Sequence, residues 1–361
     1  MIPYGPNWYA SVMGTGIVAI ALTGLPFEVP GATDVALAFW LLDLVLLAVV
    51  TAATLHHWRQ DRAVARRLRL GHLDDPVMSH FYGATAMGLM TAGTATALVG
   101  RDWLGLDTAL VIDAVLWTLG TLFGLFTAVA VPYRAITRHE VTEQSAFGGW
   151  LMPVVPPMVT AATGTVLLPH LPAGQAQQTM LVFLEACFGL TLVFSLLVLA
   201  ALWPTLLRHG AGAPGTVPTL WIVLGPLGQS VTAAHHLGAV AGDAMPAYGP
   251  ALRAFALVYG VPVWGFAMLW LSLAAALTIR QLRRGLPFAL TWWSFTFPVG
   301  TVVTGTSALA TLTGLDALRV AAGLLFVLLL TAWAVVAART VHAFLAPEAL
   351  ATAPAAEVVR A

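Results

Sequence analysis

The chain has 361 residues, of which 59% are hydrophobic and only 9% charged, and its formal net charge is zero. Such a composition excludes the charged surface of an ordinary soluble domain. Without a basic surplus there is also no electrostatic footprint for nucleic acid. The composition therefore indicates an integral membrane protein.

Apolar runs of about 20 residues, the length that a helix needs to cross the hydrocarbon layer, recur along the whole chain. Gly, Pro and charged residues separate these runs and predict ten spans. The spans lie near residues 8–24, 35–55, 77–99, 107–130, 149–167, 178–203, 218–239, 251–279, 288–311 and 317–343. They predict one transmembrane domain over residues 1–345, followed by a short tail at residues 346–361.

The basic residues predict the orientation of the spans, and all sixteen are arginine. Three of them, Arg101, Arg253 and Arg319, lie on the side where odd-numbered spans end. The other thirteen lie on the opposite side: Arg59, Arg62, Arg66, Arg67, Arg69, Arg134, Arg138, Arg208, Arg280, Arg283, Arg284, Arg339 and Arg360. Because cytoplasmic loops are enriched in basic residues, both termini are predicted to lie in the cytoplasm and the odd spans to run outward through the plasma membrane.

Odd and even spans differ in their chemistry. Odd spans are rich in Gly, Pro, Ser and Thr, as in GTVVTGTSALAT of span 9, and none contains Asp, Glu, Lys or Arg. Even spans, such as AFWLLDLVLLAVV, suit contact with lipid. The alternation predicts an all-α polytopic membrane protein of ten transmembrane helices in five helical hairpins, with the odd helices lining a central pore.

Helix-breaking residues recur near the midpoint of every odd span. Proline and glycine at this depth permit a break in the helix, and irregular backbone is tolerated there when it lines a cavity. Small residues are also common helix-packing devices in membranes, which is the alternative interpretation. The predicted breaks lie at Gly16, Gly88, Pro156–Pro157, Gly228–Gln229 and Phe297–Pro298, the last followed by Gly300.

The polar groups of the odd spans are hydrogen-bond donors without negative charge, which favours an anion or a neutral solute over a cation. They include the hydroxyls of Thr15 and Thr301, although a threonine can instead bond to its own helix. On span 7, Gly225, Gln229, Thr232 and His236 recur at helical spacing on one face. We therefore predict that Gln229, Thr232 and His236 face the pathway, with a water-satisfied interfacial histidine as the alternative for His236.

Ionisable residues within the membrane are predicted only on even spans, where Asp43 is the deepest. The sequence places Glu185 within reach of Arg253, and Asp113 within reach of Arg101. These pairs are predicted to be structural ion pairs, with a role in subunit contact as the alternative.

Four stretches resemble the tellurite-resistance and dicarboxylate transporter family, which includes slow anion channels, malate permeases and sulfite efflux proteins. They are NWYASVMGTGIVAIAL, WLMPVVPPMVTAATG, WIVLGPLGQS and WWSFTFPVG, in spans 1, 5, 7 and 9. The resemblance implies ten helices in five hairpins, a pore between the inner helices and a homotrimer. It also implies that Phe297 plugs the pore at mid-membrane.

The predicted function is passage of a small anion of the C4-dicarboxylate (malate), sulfite, chloride or nitrate class through a channel or uniporter gated by Phe297. A proton-coupled or exchange carrier for the same anions is the first alternative. A membrane haem or redox protein is a remote one, since no paired histidines at one depth are apparent. No metal, cofactor or enzyme motif is predicted, and membrane lipid and the anion are the expected partners.

Overall fold

The computed structural model describes residues 5–60, 72 and 74–345. Helices and short connections make up these residues, with no β-strand among them, so the predicted all-helical class is correct. The predicted tail at 346–361 and the arginines at 62, 66, 67, 69 and 360 lie outside the described residues. The ten longest α-helices of the described chain are α1 Tyr9–Thr23, α2 Ala32–Gln60, α3 Tyr82–Ala95, α4 Leu106–Thr137, α5 Pro156–Leu167, α6 Gln175–His209, α7 Leu224–Ala244, α8 Gly249–Leu282, α9 Phe297–Thr313 and α10 Asp316–Leu345.

Six helical segments of the described residues are long and apolar enough to cross a membrane. Five of them belong to the even-numbered helices, in which only 22% to 39% of the most apolar stretch is buried. The sixth, Leu290–Thr313, contains α9 and is 89% buried. The even helices therefore carry apolar side chains on the outside of the protein, as contact with lipid requires, and α9 lies in its interior.

The odd-numbered helices form the interior of the bundle. Each of them packs against the even helix that follows it in the chain. The odd helices also contact one another in the order α1, α3, α5, α7, α9 and back to α1, which closes a ring. Most residues of α1, α3, α5, α7 and α9 are buried. The chemical alternation along the sequence thus corresponds to two layers of helices.

Three of the odd helices begin after a 3-10 segment at a point close to the predicted breaks. The segments Gly148–Leu151, Pro214–Val223 and Leu290–Phe295 precede α5, α7 and α9. Pro156 opens α5 and Pro298 is the second residue of α9. Proline is tolerated in a first helical turn because the amide hydrogen that it lacks has no partner there. Predicted breaks in spans 5 and 9 therefore coincide with the start of a helix.

The predicted breaks in spans 1 and 3 are wrong, and the one predicted in span 7 is displaced by about one helical turn. Gly16 and Gly88 lie inside continuous helices, and Gly228–Gln229 lies one turn beyond the start of α7. Close packing explains the glycine at two of these sites. A Cβ atom on Gly16 would lie 2.5 Å from Asp43 Oδ2, and one on Gly228 would lie 2.5 Å from the backbone of Thr301. These glycines allow helices to approach closely rather than interrupting them.

The two predicted ion pairs are also wrong, because each arginine has a nearer partner. Arg101 pairs with the adjacent Asp102 at 3.8 Å. Arg253 donates from Nε to the carbonyl oxygen of Gly238, at 3.3 Å. Within the described chain, no hydrogen-bond partner is found for either carboxylate oxygen of Asp113 or for Oε1 of Glu185.

Candidate functional site

A cavity of about 310 Å³ lies inside the ring of odd helices. All five contribute lining residues from their C-terminal halves, among them Ile20, Thr94, Thr163, His236 and Ser307. A volume of this size is at the lower end of the range for small-molecule sites. It holds several water molecules or one partly hydrated small ion, since a water occupies about 30 Å³ in the liquid.

A second, much smaller cavity of about 10 Å³ lies towards the N-terminal ends of the odd helices. Its lining is mostly apolar and includes Met13, Met87, Met152 and Ile222. Among the residues that the structure describes, Phe297 is the one that lines both cavities. This side chain is 2% exposed and is the first residue of α9. Phe297 therefore lies where the larger cavity adjoins the smaller one.

The lining of the larger cavity, as far as the chain is described, contains no Asp or Glu. Its charged side chain is Arg101, which is 53% exposed and lies at the end of the cavity where α1 and α3 terminate. The imidazoles of His235 and His236 also line the cavity, with ring centroids 5.6 Å apart. An electrostatic environment with positive charge and no carboxylate favours anions over cations.

The hydroxyl groups around this cavity fall into two sets. Thr91 and Thr163 donate to the carbonyl oxygens of Met87 and Val159 in their own helices, each at 2.7 Å. The hydroxyls of Thr94 and Ser307, in contrast, have no hydrogen-bond partner among the described residues. Because a hydroxyl has a single hydrogen, the first set has already used its donor.

Gln229 is the most deeply placed amide of the cavity wall, with 5% of its surface exposed. Its Oε1 atom is buried and finds no hydrogen-bond partner in the described part of the chain. A buried amide without a protein partner is costly unless water or a ligand completes its hydrogen bonds. The NH2 group of the same side chain, on the cavity wall that Gln229 shares with Phe297, is the part of the amide that can donate to an anion.

Five of the residues predicted to line the pathway lie on these two cavities. Phe297, Gln229, Thr232 and His236 line the larger cavity, and Pro298 lines the smaller one together with Phe297. Thr232 Oγ1 lies 2.7 Å from Thr304 Oγ1, which links α7 to α9. His236 Nδ1 lies 3.4 Å from the carbonyl oxygen of Ala162 and so faces α5.

The remaining predicted residues make helix contacts and are absent from the lining of both cavities: Thr15, Gly16, Gly88, Pro156, Pro157, Gly300 and Thr301. Thr15 accepts a hydrogen bond from Trp333 Nε1 at 3.0 Å and so faces α10. The hydroxyl of Thr301 donates to the carbonyl oxygen of Pro298 at 2.7 Å. A Cβ atom on Gly300 would lie 2.4 Å from Ile17 Cγ1 of α1.

Arg101, Thr94 and Ser307 are cavity residues that sequence reasoning missed. Arg101 lies just beyond the predicted end of span 3, and the sequence predicts it as an orientation signal and as a partner of Asp113 rather than as a cavity residue. Its spacing carried a further signal, because Thr91, Thr94, Leu98 and Arg101 recur at steps of three or four residues. All four line the cavity.

Comparison with known proteins assigns the chain to a family. The family described as voltage-dependent anion channel (SLAC1) matches residues 3–341, which confirms the resemblance. An uncharacterized transporter of Methanocaldococcus jannaschii is 26% identical over 82% of this chain and 81% of its own length. A sulfite efflux pump of Trichophyton rubrum is 26% identical over 84% and 81% of the respective chains. A malic acid transport protein of Schizosaccharomyces pombe is 22% identical over 94% and 78%.

Proposed function

The chain belongs to the voltage-dependent anion channel family, and on that premise we propose that a small anion passes through the ring of odd helices and is gated by Phe297. The family and these relatives are channels or transporters and not enzymes. Anion transport across a membrane is therefore the general function. The identity of the anion, the gate and the mode of transport form our proposal.

The observation that carries the proposal is the larger cavity, which has no carboxylate in its described lining and ends at Phe297. An aromatic ring between two compartments blocks an ion both sterically and by excluding water. Arg101, the imidazoles and the Gln229 amide supply the donors that an anion needs in place of water. A cation pathway would instead call for carboxylates or carbonyl rings along its wall.

We propose sulfite or a C4-dicarboxylate such as malate as the substrate, because relatives are named for sulfite efflux and malic acid transport. The mode that we favour is a channel or uniporter. All ten helices then span the plasma membrane as five hairpins in one domain, with both termini in the cytoplasm. Three such subunits, each with its own pathway, form the proposed homotrimer, as the family resemblance implies.

The gate is tested with Phe297→Ala in proteoliposomes driven by a sulfite or malate gradient. Removal of the ring should raise anion flux by at least about tenfold, since it joins the two cavities. Phe188→Ala is the matched control: Phe188 is also a buried phenylalanine, 5% exposed, but it packs against Phe255 and Tyr259 on the outer helices. Both substitutions are expected to cost about 3–5 kcal/mol of stability.

Equal flux through Phe297→Ala and wild-type protein, with the wild type shown to conduct, would remove the gate assignment. A rise of the same size in Phe188→Ala would mean that the increase in anion flux comes from general loosening of the bundle. Absence of any anion flux from both proteins in a correctly folded preparation would contradict the transport proposal itself.

A proton-coupled or exchange carrier is the second candidate, because His236 lines the cavity and Asp43 is a fully buried carboxyl group without an ion-pair partner among the described residues. A carrier of this type would need a pH gradient or a counter-anion for sustained transport. Net current that is carried by the anion alone, with equal pH on both sides, supports the channel or uniporter instead.

A further inference from the structure

Arg101 occupies a distinct place on the pathway. It follows α3 at the start of the short helix Arg101–Leu104, and it lines the cavity together with Gly24 and Thr311, which lie at the ends of α1 and α9. Its side chain is 53% exposed, whereas Gln229 and Phe297, deeper in the same cavity, are 5% and 2% exposed. Arg101 is therefore at the mouth of the cavity.

The charge of Arg101 is only weakly compensated. Its Nε atom lies 3.8 Å from Asp102 Oδ1, and both side chains are more than half exposed. Ion pairs of this kind contribute little and leave the guanidinium free to interact with other anions. Asp102 is absent from the cavity lining, and no other Asp or Glu is found there within the described residues. The fixed charge that the described lining presents at the mouth is therefore positive.

From this arrangement we infer that Arg101 is an anion-recruiting site at the mouth of the pathway, and that it favours divalent anions over monovalent ones. The inference rests on the proposed transport function and concerns how the anion reaches the cavity. Beyond Arg101 the wall offers neutral amide and hydroxyl groups and the two imidazoles. A fixed cation that is partly in water attracts the anion without holding it, which allows onward passage.

The preference for divalent anions follows from Coulomb's law. The interaction energy between a fixed charge and an ion is proportional to the charge of the ion. A change that weakens the accumulation of a monovalent anion by some factor must then weaken that of a divalent anion by the square of that factor. Because the site is exposed, mobile ions screen it, and the effect must shrink as ionic strength rises.

The experiment measures the half-saturating concentration for flux of chloride and of the malate dianion in proteoliposomes, in a Phe297→Ala background, at about pH 8, where ordinary imidazoles are neutral. For Arg101→Gln we expect a rise of about threefold for chloride and about tenfold for malate at low salt. Arg101→Lys should restore most of the wild-type value. Asp102→Asn removes the neighbouring negative charge and should shift both values in the opposite direction.

Arg319→Gln provides the matched control. Arg319 is an exposed arginine near the start of α10 that pairs with Asp316 at 3.0 Å and does not line the cavity. Its replacement removes the same charge and should leave both half-saturating concentrations unchanged.

Two failures can be distinguished. If no anion crosses the membrane through wild-type or Phe297→Ala protein, the transport function is wrong. If anions do cross but Arg101→Gln behaves like Arg319→Gln, or shifts chloride and malate by equal factors at every ionic strength, the recruiting role of Arg101 is wrong.

Discussion

The two cavities that meet at Phe297 differ in both size and chemistry. The one on the C-terminal side has a volume of about 310 Å³ and is lined by apolar side chains together with hydroxyl, amide, imidazole and guanidinium groups. The one on the N-terminal side has about 10 Å³ and is lined mainly by Met, Val and Ile side chains. Water enters a polar space of sufficient size and is excluded from a narrow apolar one.

The difference indicates that the closed part of the pathway extends beyond one ring. Met13, Met87 and Met152 continue the apolar constriction on the N-terminal side of Phe297. Methionine side chains are unbranched and adaptable, so they can move aside without unfolding of the bundle. We infer that Phe297 marks the end of an apolar segment on the side of the larger cavity. Selection among ions then takes place in that larger cavity.

The largest expected effect comes from placing a negative charge on the polar side. Gln229→Glu keeps the shape of the side chain but puts a carboxylate beside the path of the anion. In a Phe297→Ala background, flux at about pH 8 should fall by roughly a hundredfold, because like charges at close range in a partly desolvated site repel by several kcal/mol. The block should weaken as the pH falls, since protonation of the introduced carboxyl removes its charge.

Gln281→Glu makes the same chemical change near the end of α8, away from the cavity lining, and should not alter flux. Unchanged flux in Gln229→Glu across this pH range would show that the anion does not pass Gln229.

The two-layer fold could be predicted from the sequence because lipid and protein interior select different residues. Exposed apolar faces require runs such as that of α2, whereas the buried helices require small residues. The positions of the breaks could not be predicted from glycine alone. Gly16 faces Asp43 across a tight helix contact, and only the three-dimensional packing distinguishes such a glycine from a hinge.

The site could be predicted only in part, and for a similar reason. The periodicity of span 7 placed Gln229, Thr232 and His236 on one face, and all three line the cavity. The family resemblance, and not the periodicity, singled out Phe297. Thr15 has the same residue type as Thr94, yet its hydroxyl accepts a hydrogen bond from Trp333 outside the cavity. The direction in which a hydroxyl points depends on neighbouring helices, which local sequence does not reveal.

An intermediate effect is expected on the apolar side of Phe297. Met87→Ala, combined with Phe297→Ala, should raise flux by a further factor of about three, because it widens a segment that is too narrow to hold water. Met90→Ala is the control on the same helix: Met90 is equally buried, but it contacts the hydroxyls of Thr121 and Thr160 away from both cavities.

Both methionine variants should lose about 2–5 kcal/mol of stability, so thermal unfolding shows whether they are matched. Equal flux from the two double variants would indicate that Phe297 alone closes the pathway.

The smallest expected effect is that of removing the Thr163 hydroxyl, and it limits how much of the polarity of the larger cavity reaches an anion. Thr163 lines the cavity, but its hydroxyl hydrogen is engaged by the carbonyl oxygen of Val159 at 2.7 Å. An anion needs donors, and Thr163 has only lone pairs left to offer. Thr163→Val should therefore change the half-saturating concentration for malate by less than about twofold.

Ser307→Ala removes a hydroxyl without a described partner and should raise that concentration by about tenfold, as a lost hydrogen bond to a charged group does. Equal shifts in the two variants would mean that Thr163 breaks its bond to its own helix when the anion arrives.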